Sequence, residues 1–309
     1  MYKFLFPIGI LLLISSCSEK ESITPVFSSL LEKTDTPKLF FPETVTQRGK
    51  VHFGSSFSDD GKYIVYTTTA RGKPGTVVTQ TFKNQSFSPL IPIENDSVYS
   101  YSDASISADG NTILLCSSRP HTATQDTKQN STIWQYSRLD SIWGNPKIVE
   151  LKMDSVGNFG FPTLTANNTL YFHHSTKNTK PDIYRSEWKD GEYMTPEKLP
   201  YPINTDKFEG DVFVDKKERF IIFAGFERED NYGESDLYIS LKLEEGWSEP
   251  MNLGKGINSF GYDGSPYVTT DDQFLIFTSS RHPEKEGEHE YFNLFYVNFN
   301  LDLYRSKIE

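Results

Sequence analysis

Five times along the chain, a strand of mixed apolar and polar residues passes through a polar turn into a nearly continuous apolar run. Ser56-Phe57-Ser58-Asp59-Asp60-Gly61 leads into YIVYTT, and Ser105-Ile106-Ser107-Ala108-Asp109-Gly110 into TILLCSS. Thr163-Leu164-Thr165-Ala166-Asn167-Asn168 precedes LYFHHS, Val212-Phe213-Val214-Asp215-Lys216-Lys217 precedes FIIFAG, and Tyr267-Val268-Thr269-Thr270-Asp271-Asp272 precedes FLIFTSS. Anchored on Phe57, Ile106, Leu164, Phe213 and Val268, the copies are spaced 49, 58, 49 and 55 residues apart. A third strand follows in four copies (Thr132–Tyr136, Asp182–Ser186, Asp236–Ser240, Asn293–Val297). A tight turn then leads to an aromatic residue and a proline, as in Trp143-Gly144-Asn145-Pro146 and Trp247-Ser248-Glu249-Pro250. A solid apolar second strand is buried on both faces, and a proline suits an outermost strand that needs no ladder donor toward solvent. The period and the strand order predict four-stranded propeller blades.

The last copy reaches its third strand near Val297 and ends without an aromatic–x–x–Pro strand of its own. Pro37-Lys38-Leu39-Phe40-Phe41, near the other end of the chain, resembles Pro196-Glu197-Lys198-Leu199 and Pro250-Met251-Asn252-Leu253. The expectation is therefore an all-β fold, a single propeller over 37–309 with its last blade completed by the N-terminal strand. The count is five blades, or six if Leu301–Lys307 and the segment before residue 37 add strands.

Composition agrees with one large domain: 309 residues, 36% hydrophobic and 14% aromatic, enough for a substantial core. A net charge of −11 argues against nucleic acid as a partner and against electrostatic adhesion to anionic lipid. Two cysteines, Cys17 and Cys116, exclude a disulfide framework. Lys3 followed by the apolar run Phe4–Ile14 is too short to span a bilayer and reads as a signal peptide over 1–16. Leu13-Ile14-Ser15-Ser16-Cys17 resembles a bacterial lipobox, which implies acylation of Cys17 after cleavage. Charge becomes −12 once Lys3 leaves with the leader, so membrane contact is expected through the lipid alone. Residues 17–36 read as lipid anchor and tether, with a small apolar patch at Val26–Leu31.

Ser-x-Asp-Gly before an aromatic-rich strand, then Asp-Ile/Leu-Tyr, then Trp-x-x-Pro, together resemble the WD40-like (PD40, TolB-type) propeller repeat. The resemblance covers about residues 37 to 300 and implies a propeller in an envelope lipoprotein, on the periplasmic or cell-surface side of an outer membrane. It departs from pattern where Asn167-Asn168, Lys216-Lys217 and Asp271-Asp272 replace Asp-Gly. The family spans many functions, so the fold alone assigns no chemistry.

In such a blade, the first-to-second and third-to-fourth connections lie on one face of the disc. They are tight here. The second-to-third and blade-to-blade connections lie on the other face and are longer and more varied, as in Arg119–Ser131, Glu227–Glu234 and Arg281–Tyr291. Binding residues concentrate on such loops. Residues entering the innermost strands are therefore expected to rim the channel: His52, Tyr101, Asp103, Phe159, Phe208, Glu209, Asp211, Tyr262 and Asp263. Acids with aromatics suit a glycan or a cationic peptide. The competing reading is structural, with these acids bonded to strand-start N–H groups or paired with Arg119 and Arg281, which hold matched positions after the second strand. His173 and His174 are adjacent in a strand and point to opposite faces, so they do not share a metal. His282 and His289 lie in an acidic loop that reads as a solvated segment. No nucleophile, metal or nucleotide motif appears, and no cofactor is expected. Two functions remain open: a non-catalytic binding module for a glycan, peptide or envelope protein, and a glycosidase using Glu209 or Asp211 with Asp103 or Asp263.

Overall fold

The computed structural model describes residues 23–47, 49–70, 72–121, 130–139, 142–153, 155–282, 285 and 289–308, with the backbone alone at 289–290. The leader and Cys17 lie outside the described residues, as does most of the acidic loop after His282. The structure is a five-bladed β-propeller of small antiparallel sheets. Blade I comprises Val51–Phe57, Tyr63–Thr69 and Thr76–Lys83, with the short strands Ser86–Phe87 and Ile91–Pro92 outside them. Blade II comprises Tyr101–Ile106, Thr112–Ser117, Thr132–Leu139 and Ile142–Ile148. Blade III comprises Asn158–Leu164, Leu170–Ser175, Asp182–Ser186 and Glu197–Lys198, and blade IV Phe208–Val214, Phe220–Phe226, Ser235–Leu241 and Met251–Asn252. Blade V takes three strands from the end of the chain, Asp263–Val268, Phe274–Arg281 and His289–Asn298, and its fourth from the beginning, Lys38–Leu39.

That fourth strand pairs Lys38 with Tyr296 and Leu39 with Phe295, and Phe40 N–H donates to the Leu294 carbonyl at 2.9 Å. Leu301–Lys307 forms a helical turn around Asp302–Arg305 and adds no strand. Five is the blade count.

The second strands are buried along most of their length because both faces pack against neighbouring blades. Phe220–Ala224 and Leu275–Phe277 have no exposed surface. The turn into each second strand places one residue in the left-handed region: Gly61, Gly110, Asn168, Glu218 and Asp272. In blade IV this residue is Glu218, one position beyond the Lys216-Lys217 pair that the repeat pattern aligns there.

A second irregularity repeats in the innermost strands. Each carries a β-bulge, with register shifts after Phe53, Ser102, Gly160, Gly210 and Gly264. The residue that follows has positive φ in every blade: Gly54 (63°), Asp103 (53°), Phe161 (48°), Asp211 (46°) and Ser265 (48°). Non-glycine residues there cost roughly 1–2 kcal/mol each. A bulge re-aims a side chain, and this one sits at the axis in all five blades.

The tight turns are laced to one another beneath the disc. Asp59 N–H donates to Ala108 O at 2.9 Å, Thr270 Oγ1 to Asp59 O at 2.9 Å, and Ala166 N–H to Lys216 O at 2.8 Å. Arg219 bridges Asp215 in its own turn (2.7 Å) and Asp272 in blade V (2.6 Å). Lys216 of blade IV and Asp59 of blade I, which are not adjacent blades, form an ion pair.

Residues 23–36 are not a free tether. Val26 N–H donates to Asp60 O at 2.9 Å, Ser28–Leu30 forms a 3₁₀ turn, and Phe27 is fully buried. Its ring lies 4.8 Å from Phe57 and 5.7 Å from Phe40. The apolar patch in this otherwise polar stretch is the docking element.

Candidate functional site

Two residues before each bulge stand His52, Tyr101, Phe159, Glu209 and Asp263. Sequence reasoning put them on the channel rim. The structure turns them into the blades instead. His52, Glu209 and Asp263 have no exposed surface and Tyr101 is 3% exposed. His52 Nε2 accepts from Gln47 N–H at 3.3 Å, and burial lowers its pKa to about 4. Tyr101 donates to Asp96, and burial raises its phenol pKa. Phe159 packs against Phe172 and His174.

The two buried acids are held identically. Asp263 receives Arg281 Nη2 at 2.7 Å and Ser259 Oγ at 2.7 Å. Glu209 receives Arg228 Nη2 at 2.9 Å and Thr205 Oγ1 at 2.6 Å. The third arginine of the set, Arg119, pairs with Glu94 at 2.9 Å and with the Tyr136 hydroxyl at 3.0 Å, and its charge is felt at Tyr101. Each guanidinium also lies over aromatic rings: Trp134 for Arg119, Phe223 and Tyr238 for Arg228, Phe277 and Phe295 for Arg281. Arg228 was missed in sequence because it stands one or two positions later, relative to its strand, than Arg119 and Arg281.

At the axis, the bulges bring Asp103 and Asp211 together as interacting charges. Burial raises the Asp211 pKa to about 6, although it accepts from Tyr262 Oη, from Ser265 N–H (3.1 Å) and from Ser265 Oγ (3.2 Å). Asp103 rises to about 7, first through burial and then through the charge of Asp211. His173 Nδ1 accepts the Asp211 backbone N–H at 3.2 Å, and burial lowers this histidine's pKa to about 4. Two glycines make room for rings around these acids. A side chain at Gly210 would fall 2.7 Å from the Phe208 ring and 2.9 Å from His173 Nδ1, and one at Gly264 would collide with Tyr262 and Asp211. The open axial space begins at the bulges and runs toward the tight turns, lined by Gly54, Asp103, Phe161, Ser265 and, lower down, Lys216. It amounts to about 50 Å³, room for a few water molecules and far below the roughly 300–1,000 Å³ of small-molecule sites.

The long-loop face offers a different surface. Above blades IV and V, Phe208 and Phe226 lie 4.4 Å apart, Phe226 and Tyr262 6.0 Å, and Tyr262 stacks on Phe292 at 4.7 Å. Tyr232 and Phe260, exposed by 50% and 43%, flank this row. Their loops touch: Glu234 N–H donates to Gly261 O at 3.0 Å, and Gly233 lies against the backbone of Ser259–Gly261, where a side chain would not fit. Glu229 and Glu234 are exposed on the same loop as Tyr232. Rings with apolar faces beside carboxylates suit a sugar face or a cationic side chain.

His173 and His174 diverge as expected, the latter packing on Phe159 and Tyr184. Cys116 is a buried free thiol. Among the described residues no cluster of three metal-ligating side chains exists, and no helix is long and apolar enough to cross a membrane.

No family model matches the chain. The fold is shared with TolB from Acinetobacter baumannii (TM-score 0.53, 14% identity), the alignment covering 81% of this chain and 54% of that one. A putative TolB from Agrobacterium tumefaciens aligns at TM-score 0.50 and 12% identity, over 81% of this chain and 77% of the other. A glycoside hydrolase aligns at TM-score 0.56 and 10% identity, over 86% of this chain and 91% of the other. In sequence, the pesticidal crystal protein Cry21Aa of Bacillus thuringiensis is 26% identical over 140 residues, 44% of this chain but 11% of its own length. The structural likenesses show a β-propeller and no particular chemistry.

Proposed function

We propose that the protein is a non-catalytic, lipid-anchored envelope module that binds a protein or peptide partner through the aromatic patch above blades IV and V. The observation that carries this reading is the fate of the acids. Glycoside hydrolysis needs two carboxyl groups facing a sugar about 5–9.5 Å apart. Glu209 and Asp263 are instead locked on arginines inside the blades, Asp103 borders a space too small for a sugar ring, and Asp211 is tied to Tyr262 and Ser265. Tyr232, Phe260 and the row behind them supply the ring-rich surface on which interface hot spots form. The acids beside them favour a partner that brings lysine or arginine. TolB-type and hydrolase propellers share this scaffold, so the choice rests on the site residues and not on the fold.

Acylation of Cys17 would hold the module at a membrane, with no cofactor and no nucleic acid involved. The test combines a glycan array, cross-linked pulldown from envelope extracts and a polysaccharide hydrolysis panel on the same purified protein. Specific cross-linking lost on Tyr232→Ala supports the reading. Polysaccharide turnover abolished by Asp103→Asn or Asp211→Asn overturns it in favour of the glycosidase.

A further inference from the structure

The docked N-terminal segment has a geometric consequence once a lipid is placed on Cys17. Its first described residue, Ile23, leads directly into contacts with the blade I tight turn, through Val26 N–H to Asp60 O and Phe27 against Phe57. Further along, Thr34 and Asp35 bond Asn298, where the third strand of blade V ends on the same face. Six residue steps separate Cys17 from Ile23, a reach of at most about 22 Å. The inner strands, six or seven residues long, set the disc about 20–23 Å thick before its loops are added. With Phe27 docked, a chain leaving the tight-turn face on so short a lead would have to run fully extended along the flank of the disc to put the opposite face at the bilayer.

That same face exposes apolar side chains. Ile23 (53%), Val26 (40%) and Leu30 (40%) project from the docked segment itself. Leu303 and Ile308 are exposed on the C-terminal turn, and Leu243 on the neighbouring blade IV hairpin. Lys33 and Lys307 share the surface with Glu32, Asp60 and Asp302, so charge does not select anionic lipid. We infer that the tight-turn face rests on the lipid surface, with Ile23, Val26 and Leu30 as its apolar footing, and that the long-loop face with its aromatic patch points away from the membrane. This rests on acylation of Cys17.

The experiment uses the full chain purified from membranes, its acylation read first by intact mass. Cys116 is buried and leaves Val26→Cys and Asn178→Cys, on opposite faces, as single sites for bimane labelling. The labelled proteins are reconstituted into phosphatidylethanolamine–phosphatidylglycerol vesicles carrying a nitroxide headgroup lipid. Quenching several-fold stronger at residue 26 than at residue 178, reduced when Ile23 and Leu30 are both changed to Ser, is the expected result. Equal quenching in an acylated protein, or stronger quenching at 178, overturns the orientation alone. A chain without the acyl mass removes the lipid anchor and the orientation with it.

Discussion

Leu39 lies opposite Phe295 in the outermost ladder of blade V, joining two ends of the domain 256 positions apart in sequence. The ring is thereby closed without an exposed edge on its third strand. Phe40, the next residue, has no exposed surface and meets Phe27, Phe57, Phe87 and Tyr296 edge-on or tilted. Phe40→Ala removes the centre of that cluster and should cost about 3–5 kcal/mol. Urea unfolding of the purified domain checks it; a loss below about 1 kcal/mol would mean that the closure contributes little to stability.

Glu209 and Arg228 form a second relationship open to direct measurement. Glu209 has no exposed surface and the Arg228 side chain is only 14% exposed, so Glu209→Gln or Arg228→Met alone leaves an uncompensated group and should cost about 3–5 kcal/mol. Made together, the two changes should cost clearly less than the sum of the single losses. An additive double mutant would show that the pair is not energetically coupled. A hydrolase role for Glu209 would show instead as lost turnover with stability preserved.

Much of this was legible in the sequence, and the exceptions have physical causes. The blades, their tight turns and the borrowed strand all follow from patterns that recur in residue type. The axial bulge recurs only in conformation. Gly54, Asp103, Phe161, Asp211 and Ser265 share a left-handed backbone and no side-chain chemistry, so no motif announces them. Without the bulge, simple alternation put Glu209 and Asp211 on one face. With it, Glu209 turns into blade IV while Asp211 stays beside the axis. Docking of residues 23–36 was hidden for a related reason: a single phenylalanine, Phe27, carries the docking within a polar stretch.

The axial acids predict a pH dependence of defined sign. Asp211 (about 6) and Asp103 (about 7) are raised above the unfolded carboxylate range near 3.9, so between those limits the folded chain binds more protons. Their contribution to stability must then fall as pH rises from about 4 through 6 to 7, with no further change from them above that. Buried His52 and His173, lowered to about 4, bind fewer protons folded than unfolded and act in the opposite sense below about pH 6.5. The acids are therefore read as a difference: in thermal unfolding across pH 4–8 the wild type should lose stability relative to Asp103→Asn as pH rises toward 7. The pair titrates as a unit, so the variant also changes the step belonging to Asp211. A stability that rises over this window in the wild type but not in Asp103→Asn would mean that these carboxyls are ionised and favourably solvated at the axis.

The proposed acylation of Cys17 separates membrane attachment from folding. Cys17 precedes every contact in the described structure, so Cys17→Ser should leave the unfolding transition unchanged while releasing the protein from the membrane fraction. One saturated acyl chain already contributes about 0.8 kcal/mol per buried CH₂, and no charged surface replaces it. Retention of the serine variant on membranes would point to a second attachment.

Tyr232 and Phe260 carry the remaining prediction. Both rings are presented by loops braced against each other, so truncating either leaves the backbone contact between Glu234 and Gly261 in place. Tyr232→Ala with Phe260→Ala should therefore weaken partner binding by about 2 kcal/mol or more without lowering stability. Titration calorimetry with the partner recovered by cross-linking measures the first quantity, and urea unfolding the second. Asn178→Ala, on the same face but above blade III, serves as the control. Equal binding by the double variant and the control would move the interface away from blades IV and V, because rings exposed at this level cannot lie at a binding centre and be dispensable to it.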